Sequence, residues 1–229
     1  MDVKELKKKA AEKAVEEIAD GMIVGLGTGS TFQFALEKIS QRIASGELKN
    51  IIGVPSSIRT EKEAQRLGIP VASLNEKIKV DITIDGADEV DENLNLIKGG
   101  GGALLREKIL AQASRRLIII VDSSKLSKHL GTNFPVPVEV IQYAVNVEKN
   151  YLQSLGAKIL QRKNSDGSNY ITDENNFILD ANFGAIKNLE KLTTLLNKRA
   201  GIVEHGIFIG MTSEVICATS EDIKILKGK

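Results

Sequence analysis

Residues that form disulfides or bind metals are scarce in this sequence. It contains one cysteine, Cys217, and two histidines, His129 and His205. A single cysteine permits no internal disulfide, neither histidine lies in an H-E-x-x-H motif, and no C-x-x-C pair occurs. We therefore expect no metal site. We expect Cys217 to pack as a small buried hydrophobe and each histidine to be a surface or partly buried imidazole.

The sequence also lacks an excess of charge and a long apolar run. It has 31 basic and 30 acidic residues, and no basic run is interleaved with aromatic residues. This pattern does not indicate a nucleic-acid-binding surface. The longest apolar stretch, LIIIV at 117–121, has the length of a strand rather than of a membrane span. The N-terminal stretch MDVKELKKKAAEKAVEEIAD has no apolar signal core and predicts an amphipathic helix, so we expect a cytoplasmic protein without membrane contact.

Apolar strands and amphipathic helices alternate over roughly the first 125 of the 229 residues. The predicted strands are MIVGLG, NIIGVP, IPVA, KVDITID and RRLIIIVD. Phe32, Leu36, Ile39 and Ile43 mark one face of a helix, and Gly68 ends the next one. Strands that are continuous Ile/Val runs separated by helices predict an α/β fold. We expect a doubly wound, mainly parallel, Rossmann-like sheet that is covered by helices on both faces.

A second unit is predicted after the two prolines of NFPVPVEVI (133–141), which mark a crossing segment. The order that follows is strand, helix, strand, strand, helix, strand, with an SDG turn at 165–167, and it indicates a small ferredoxin-like α+β domain. The tail (GIFIG, EVICAT and EDIKILKG) is predicted to return to the first domain as strand and helix. We expect a main catalytic domain over 1–132 plus 205–229, and an inserted domain over 133–204.

The segment after the first predicted strand is GTGST (27–31), which opens a helix. Ligands of open α/β sheets bind at the carboxyl ends of the strands. Glycines let the backbone approach an anion, the helix N-terminus offers N–H groups, and Ser30 and Thr31 add hydroxyls. A simple helix N-cap is the alternative.

Nucleotide-binding motifs fit GTGST badly. A G-x-G-x-x-G motif needs its third glycine one place later than Gly29, and PSS (55–57) supplies no acid for a ribose hydroxyl. A Walker A loop needs a lysine where this sequence has glycine. The sequence therefore favours a phosphomonoester on a small molecule.

Acidic residues crowd the segment DGADEVDEN, which follows a predicted strand. A solvated acidic loop is the usual explanation of such a run. Because Asp85 and Asp88 lie at the carboxyl end of the strand, three apart across a turn, we expect both to face a small polyol. Asp91 and Glu92 are assigned to solvent. A calcium loop is a weaker alternative, since no D-x-D-x-D-G pattern occurs.

Four consecutive glycines lie in IKGGGGALLREK (97–108), between a predicted strand and a helix. Lys98 beside the N–H groups of Gly99–Gly102 indicates an oxyanion site, and a flexible connector is the alternative. Helical periodicity places Leu105, Ile109 and Ala113 on one face. It therefore predicts Glu107, between Arg106 and Lys108, to be a surface residue.

Taken together, GLGTGST, DGADEVD, LIKGGGGALLREK, VDSSK and FPVPVEVI resemble, in order and spacing, the ribose-5-phosphate isomerases of type A. The similarity extends over essentially the whole chain, including NFILDANF. The resemblance implies interconversion of ribose 5-phosphate and ribulose 5-phosphate in the pentose phosphate pathway. It also implies no metal or organic cofactor, and a homodimer or homotetramer.

The resemblance further implies the site residues. Glu107 corresponds to the catalytic base. The implied substrate-binding residues are Thr28, Gly29, Ser30, Thr31, Asp85, Gly86, Ala87, Asp88, Lys98, Gly99, Gly100, Gly101, Lys125 and Lys7. For the chemistry of such an isomerase, Lys98 is the candidate for holding the enediolate oxygen, Asp85 for opening the ring and Asp88 for orienting hydroxyls.

Two other functions are compatible with parts of this pattern. One is a non-catalytic sugar-phosphate-sensing domain of a transcriptional regulator, which would need a DNA-binding segment and would not need Glu107 together with Lys98. The other is an aminosugar-phosphate isomerase/deaminase, whose chemistry usually employs a histidine near the ring.

Overall fold

The computed structural model of the protein describes residues 2–228. Its helices are α1 (Val3–Val15), α2 (Phe32–Ala44), α3 (Ile58–Arg66), α4 (Leu104–Ala113), α5 (Val145–Ser154) and α6 (Leu189–Asn197). Its strands are β1 (Ile23–Leu26), β2 (Ile52–Pro55), β3 (Ile82–Gly86), β4 (Glu89–Val90), β5 (Leu96–Ile97), β6 (Leu117–Asp122), β7 (Val136–Val140), β8 (Lys158–Gln161), β9 (Phe177–Asn182), β10 (Ile202–His205), β11 (Ile207–Phe208), β12 (Glu214–Ala218) and β13 (Ile223–Lys227).

The largest sheet has the strand order β13-β12-β6-β3-β1-β2. Every neighbouring pair is parallel except β12 with β13. All six residues of β6 are buried, as the continuous apolar run LIIIV predicts for a strand covered on both faces. The predicted α/β class with a mainly parallel sheet is confirmed.

The helix α2 follows its predicted periodicity. Phe32, Leu36 and Ile39 of α2 are buried, and Ile43 packs against the same hydrophobic core. Gly68 follows α3 with φ +73°, the left-handed conformation that ends a helix at low cost for glycine. The predicted N-terminal helix is α1; Met1 lies outside the described residues.

The antiparallel sheet has the order β10-β7-β9-β8, and its chain order is β7, α5, β8, β9, α6, β10. This is the predicted ferredoxin-like succession. Val136, Val138 and Val140 point into a core with Leu152 and Leu196. The proline-containing segment, predicted as a crossing, thus forms the strand β7 itself.

Chain contacts divide the protein into two compact units. One comprises residues up to 87, 106–125 and from 210 onward, and the other comprises 88–105 and 126–209. The second unit also holds a three-stranded antiparallel sheet, β11-β5-β4. The predicted boundaries (1–132 plus 205–229, and 133–204) stay a prediction; Met1 and Lys229 fall outside the described residues.

The prediction of strand followed by helix for the tail is wrong. The segment EDIKILKG contains the strand β13, which pairs with β12 from Ala218 opposite Ile223. A tight turn causes this, because the Thr219 N–H donates to the Asp222 carbonyl at 2.8 Å and folds the chain straight back. GIFIG contributes β11 to the three-stranded sheet, and the predicted strand IPVA makes only an isolated bridge at Val71.

No helix within residues 2–228 is long and apolar enough to cross a membrane.

Candidate active site

The carboxyl edge of the main sheet collects several predicted site residues. The strands β1, β3 and β6 are parallel neighbours, so the segments that follow them lie at one edge. Thr28 follows β1, Asp85 lies near the end of β3, and Lys125 ends a short helical turn after β6. This edge is where ligands of such sheets bind.

Asp85 is buried, with 1% of its surface exposed. Its Oδ1 accepts hydrogen bonds from the Thr28 N–H at 3.0 Å and from the Gly86 N–H at 2.7 Å. A Cβ atom on Gly27 would lie 2.3 Å from this oxygen. Glycine at position 27 is therefore required by the carboxylate of the neighbouring strand, and the GTGST loop is fixed to β3.

A cluster of hydroxyl groups surrounds the Thr28 side chain. Thr28 Oγ1 lies 2.8 Å from Ser56 Oγ, 2.9 Å from Ser57 Oγ and 3.1 Å from Thr60 Oγ1. Thr60 in turn donates to the Gly27 carbonyl at 2.9 Å. These three partners were missed by sequence reasoning. Their signal was available, because PSS follows β2 at the same sheet edge and Ser57 caps α3.

The rest of the GTGST loop presents polar groups at the N-terminus of α2. Gly29 has φ +109°, and a Cβ there would meet nothing within 4 Å. Thr31 occupies the N-cap position, but its side chain makes no capping hydrogen bond. The Lys7 ammonium donates to Ser30 Oγ at 3.0 Å. A cation, hydroxyls and helix N–H groups are the components of an anion site, whereas a simple N-cap would engage Thr31.

In the second compact unit, Lys98 is buried with 2% exposure. Its ammonium lies 5.7 Å from the centroid of the Phe208 ring, a cation–π distance. Its N–H donates to the Gly206 carbonyl at 2.8 Å. Both the backbone N–H and the side-chain ammonium of the lysine that precedes the glycine run thus have a contact inside the protein.

The glycine run is anchored by Asp88. Asp88 Oδ2 accepts the Gly100 N–H at 2.7 Å, and a Cβ on Gly100 would lie 2.4 Å from Asp88 Oδ1. Gly99 and Gly102 have φ of +98° and +84°, in the region that other residues avoid. The backbone of the run is therefore held in a defined conformation that favours glycine.

Glu107 is buried in the first turn of α4, with 5% of its surface exposed. Lys108 is also buried, while Ile109 is 42% exposed. The surface position that periodicity predicts for Glu107 is wrong, and Ile109 does not lie on the buried face. Periodicity fails here because it assigns charged residues to solvent and apolar residues to the core, and this helix reverses both at positions 107 and 109.

Two further acidic residues have structural roles. Asp91, predicted to be in solvent, is buried and accepts hydrogen bonds from the N–H groups of Asn93 and Asn95 at 2.9 Å each. Glu89 is fully buried and accepts the Gly131 N–H at 2.8 Å. Backbone donors stabilise these carboxylates, which a count of acidic residues does not reveal. Glu92 is exposed, as predicted.

Within residues 2–228, no group of three or more His, Cys, Asp or Glu residues is arranged to hold a metal ion. His129 is exposed. His205 is buried, and its Nδ1 accepts the Ile207 N–H at 3.3 Å. Cys217 is buried on β12, as expected.

Comparison with known proteins assigns the chain to a family. The family model described as Ribose 5-phosphate isomerase A (phosphoriboisomerase A) matches residues 52–222. The chain belongs to this family. Ribose-5-phosphate isomerase A of Desulfatibacillum aliphaticivorans is 54% identical over 222 residues, which cover 97% of this chain and 96% of that protein. The enzyme of the same name from Synechococcus sp. (strain JA-3-3Ab) is 48% identical, with 97% of each chain covered.

Solved structures of ribose 5-phosphate isomerases share the entire fold. A D-ribose-5-phosphate isomerase in complex with phospho-erythronic acid is 40% identical, with a TM-score of 0.97 over 99% of this chain and 100% of that chain. The isomerase of Plasmodium falciparum is 41% identical, with a TM-score of 0.95 over 99% of both chains. The similarity therefore includes both compact units.

Proposed function

We propose that this protein interconverts D-ribose 5-phosphate and D-ribulose 5-phosphate through an enediolate, in the pentose phosphate pathway. The observation that carries the proposal is the burial of Glu107, in the helix that directly follows Lys98 and the glycine run. Burying a carboxylate is costly unless the structure compensates for it, and catalytic sites are where such burial recurs. The family assignment supports the same reaction.

Glu107 acts as the base that moves a proton between C2 and C1 of the open-chain sugar. Its place in the first turn of α4 exposes it to the positive end of the helix dipole, which favours the carboxylate form that a base requires. As the proton leaves C2 of the open-chain aldose, negative charge develops on the carbonyl oxygen of C1. The Lys98 ammonium and N–H groups of the glycine run stabilise this oxyanion, each donor contributing ~10²-fold in rate.

The remaining groups bind and orient the substrate. Asp85 exchanges the proton needed to open the ring, and Asp88 orients the hydroxyls. Lys7, Ser30 and Thr31 bind the phosphate at the N-terminus of α2, where an anion is favoured. Thr28, Gly29, Gly86, Ala87 and Lys125 complete the substrate contacts.

The protein acts on a small-molecule sugar phosphate, without nucleic acid, membrane, metal or organic cofactor. It is a cytoplasmic homodimer or homotetramer. The donor set supports the absence of a metal, because the proposed residues supply a base and cationic donors without one.

Incubation of the purified protein with ribose 5-phosphate, followed by an assay for the ketose, tests the proposal. We expect turnover that survives exhaustive chelation. Activity that only an added divalent ion restores would contradict the metal-free mechanism. Binding of ribose 5-phosphate without conversion would instead identify the non-catalytic sensor, which the comparisons do not favour. Ammonia release from an aminosugar phosphate would identify the deaminase.

A further inference from the structure

The carbonyl groups of the glycine run are hydrogen-bonded to side chains of the segment that connects β8 with β9. Arg162, which directly follows β8, donates from Nη1 to the Gly99 carbonyl at 2.8 Å and to the Gly100 carbonyl at 3.1 Å. The Tyr170 hydroxyl donates to the Gly101 carbonyl at 3.2 Å. Three consecutive carbonyls of the proposed oxyanion loop thus have side-chain donors.

The Arg162 guanidinium is itself fixed in place. Nε donates to Asp180 Oδ2 at 2.9 Å and Nη2 donates to Asp180 Oδ1, forming a bidentate pair. Both side chains are 14% exposed. The guanidinium carbon also lies 5.8 Å from the centroid of the Tyr170 ring. Because the guanidinium is planar and held along one edge by Asp180, its remaining N–H groups have a defined direction.

Peptide planarity transmits this direction to the N–H groups of the loop. In a trans peptide, the carbonyl of one residue and the N–H of the next point in opposite directions. The Gly99 carbonyl faces Arg162, and the Gly100 N–H of the same plane accordingly reaches Asp88 on the other side. The Gly100 carbonyl also faces Arg162, so the Gly101 N–H points away from the arginine. Arg162 therefore sets the orientation of two successive N–H groups.

We propose that Arg162, held by Asp180, is a positioning residue for the isomerase. It fixes the peptide planes of the glycine run so that the Gly101 N–H is directed at the substrate oxygen on which negative charge develops. The proposal rests on the proposed function, since it assigns the outer support of the same oxyanion loop. Arg162 does not touch the substrate and acts through the loop.

The test compares Arg162→Met with Arg199→Met. Arg199 is a matched control in the same unit. It makes a bidentate pair with Glu148 (2.9 and 3.1 Å) and lies 4.3 Å from the Tyr151 ring, but its described hydrogen bonds do not involve the glycine run. We expect Arg162→Met to lower kcat by about 10- to 100-fold with KM within about threefold, because misdirected donors act on the transition state. We expect both kcat and KM of Arg199→Met to stay within about threefold of the wild-type values.

Two additional readouts separate positioning from general stability. Added guanidinium ion should restore part of the activity of Arg162→Met and none of the activity of Glu107→Gln. A cavity of about 490 Å³ lined by Gly100, Arg162 and Asp180 gives the ion access. Phospho-erythronic acid, a sugar-acid mimic of the enediolate, should bind Arg162→Met about tenfold or more weakly than wild type, and Arg199→Met as tightly as wild type.

Equal kinetics for the two methionine variants would overturn the proposal. It would also be overturned if the loss of activity in Arg162→Met were fully explained by a lower thermal stability of the variant. If Arg162→Met does not fold, Asp180→Asn takes its place. Asp180→Asn keeps the shape of the side chain but weakens its ion pair with Arg162. We therefore expect a smaller decrease in kcat than for Arg162→Met. An unchanged kcat would refute the proposal. A wild-type protein unable to convert ribose 5-phosphate would refute the proposed function itself.

Discussion

Glu107 is the residue on which the proposed chemistry depends most. Glu107→Gln keeps the shape and hydrogen bonding of the side chain but removes the base. General base catalysis contributes ~10²–10⁴-fold, and we expect the loss of a sole proton carrier to reach the top of this range or exceed it. The loss should appear in kcat with KM little changed, because the carboxylate acts mainly in the transition state. Steady-state kinetics with ribose 5-phosphate measure both.

Glu92→Gln is the control for this variant, since Glu92 is an exposed carboxylate between β4 and β5. In deuterated water, the wild type should exchange label into the sugar at the transferred hydrogen, and Glu107→Gln should lose exchange and isomerisation together. Turnover of Glu107→Gln within a few-fold of wild type would mean that the base is Asp85 or Asp88.

Cys217 is a residue whose role packing alone explains. It is fully buried on β12, and burial raises the pKa of its thiol, which the nearby charge of Asp122 raises further. We expect Cys217→Ala to keep most of its activity and to lose about 1 kcal/mol of unfolding free energy, as for other single-atom deletions in a core. A thiol reagent should modify the native wild type slowly and the unfolded protein fast. Rapid loss of activity on alkylation, absent in Cys217→Ala, would place the thiol near the site.

Single residues show where sequence reasoning reaches its limit. Asp85 could be located because it lies at the carboxyl end of a predicted strand. The burial of Glu107 and Asp91 could not be predicted, because periodicity assigns charged residues to solvent. The hydroxyls of Ser56 and Thr60 were missed because hydrogen-bonded clusters depend on which strands are neighbours in space.

At the scale of elements, the glycine run is the clearest example of local sequence serving a site. We expect Gly100→Val to fold and to lose about 10²-fold or more of its activity, because its Cβ would meet the Asp88 carboxylate at 2.4 Å and shift either Asp88 or the loop. Circular dichroism and steady-state kinetics test this. Gly228→Val is the control, since a Cβ there would lie 3.7 Å from its nearest neighbour, the Thr212 carbonyl. Near-normal kinetics of Gly100→Val would show that the geometry of the run is unimportant.

Elements with a strong hydrophobic period were predicted well, whereas elements that are defined by their pairing were predicted less well. The buried strand β6 and the helix α2 follow directly from their apolar patterns. The strand β13 was mistaken for a helix because a turn, not its own composition, determines its pairing. The two-residue strand β4 carries no hydrophobic period, and only its pairing with β5 defines it, whereas β5 itself lies where a strand was predicted before the glycine run.

For the whole molecule, the order of the motifs along the chain was more informative than any one of them. Glycine loops and acidic runs are each common, but their fixed succession along the sequence predicted the family, and the order of strands and helices predicted the two kinds of sheet. The chain leaves the main sheet after β3 and returns through α4 to β6. Residues 88–105 therefore belong to the antiparallel unit, although residues 106–125 separate them from the rest of it. Composition gives no sign of this excursion.

Stability of the whole protein should depend on pH through Glu139. This carboxyl is buried, and burial raises its pKa, although Asn176 and Thr172 donate hydrogen bonds to it at 3.0 and 2.8 Å. The native state therefore keeps this proton to higher pH than the unfolded chain does. In that interval the native state binds more protons, so the free energy of unfolding falls as pH rises.

We expect Glu139→Gln to remove this dependence. The difference in unfolding free energy between variant and wild type should shift in favour of the variant as pH rises from about 4 to 7, because only the wild type must then bury a charge. Any cost of the new amide donor is the same at every pH and does not affect this slope. Denaturant unfolding at a series of pH values measures it, with the exposed Glu190→Gln as control. A difference that stays constant over this range would mean that Glu139 titrates alike in the folded and unfolded chains, and that its two donors fully offset its burial.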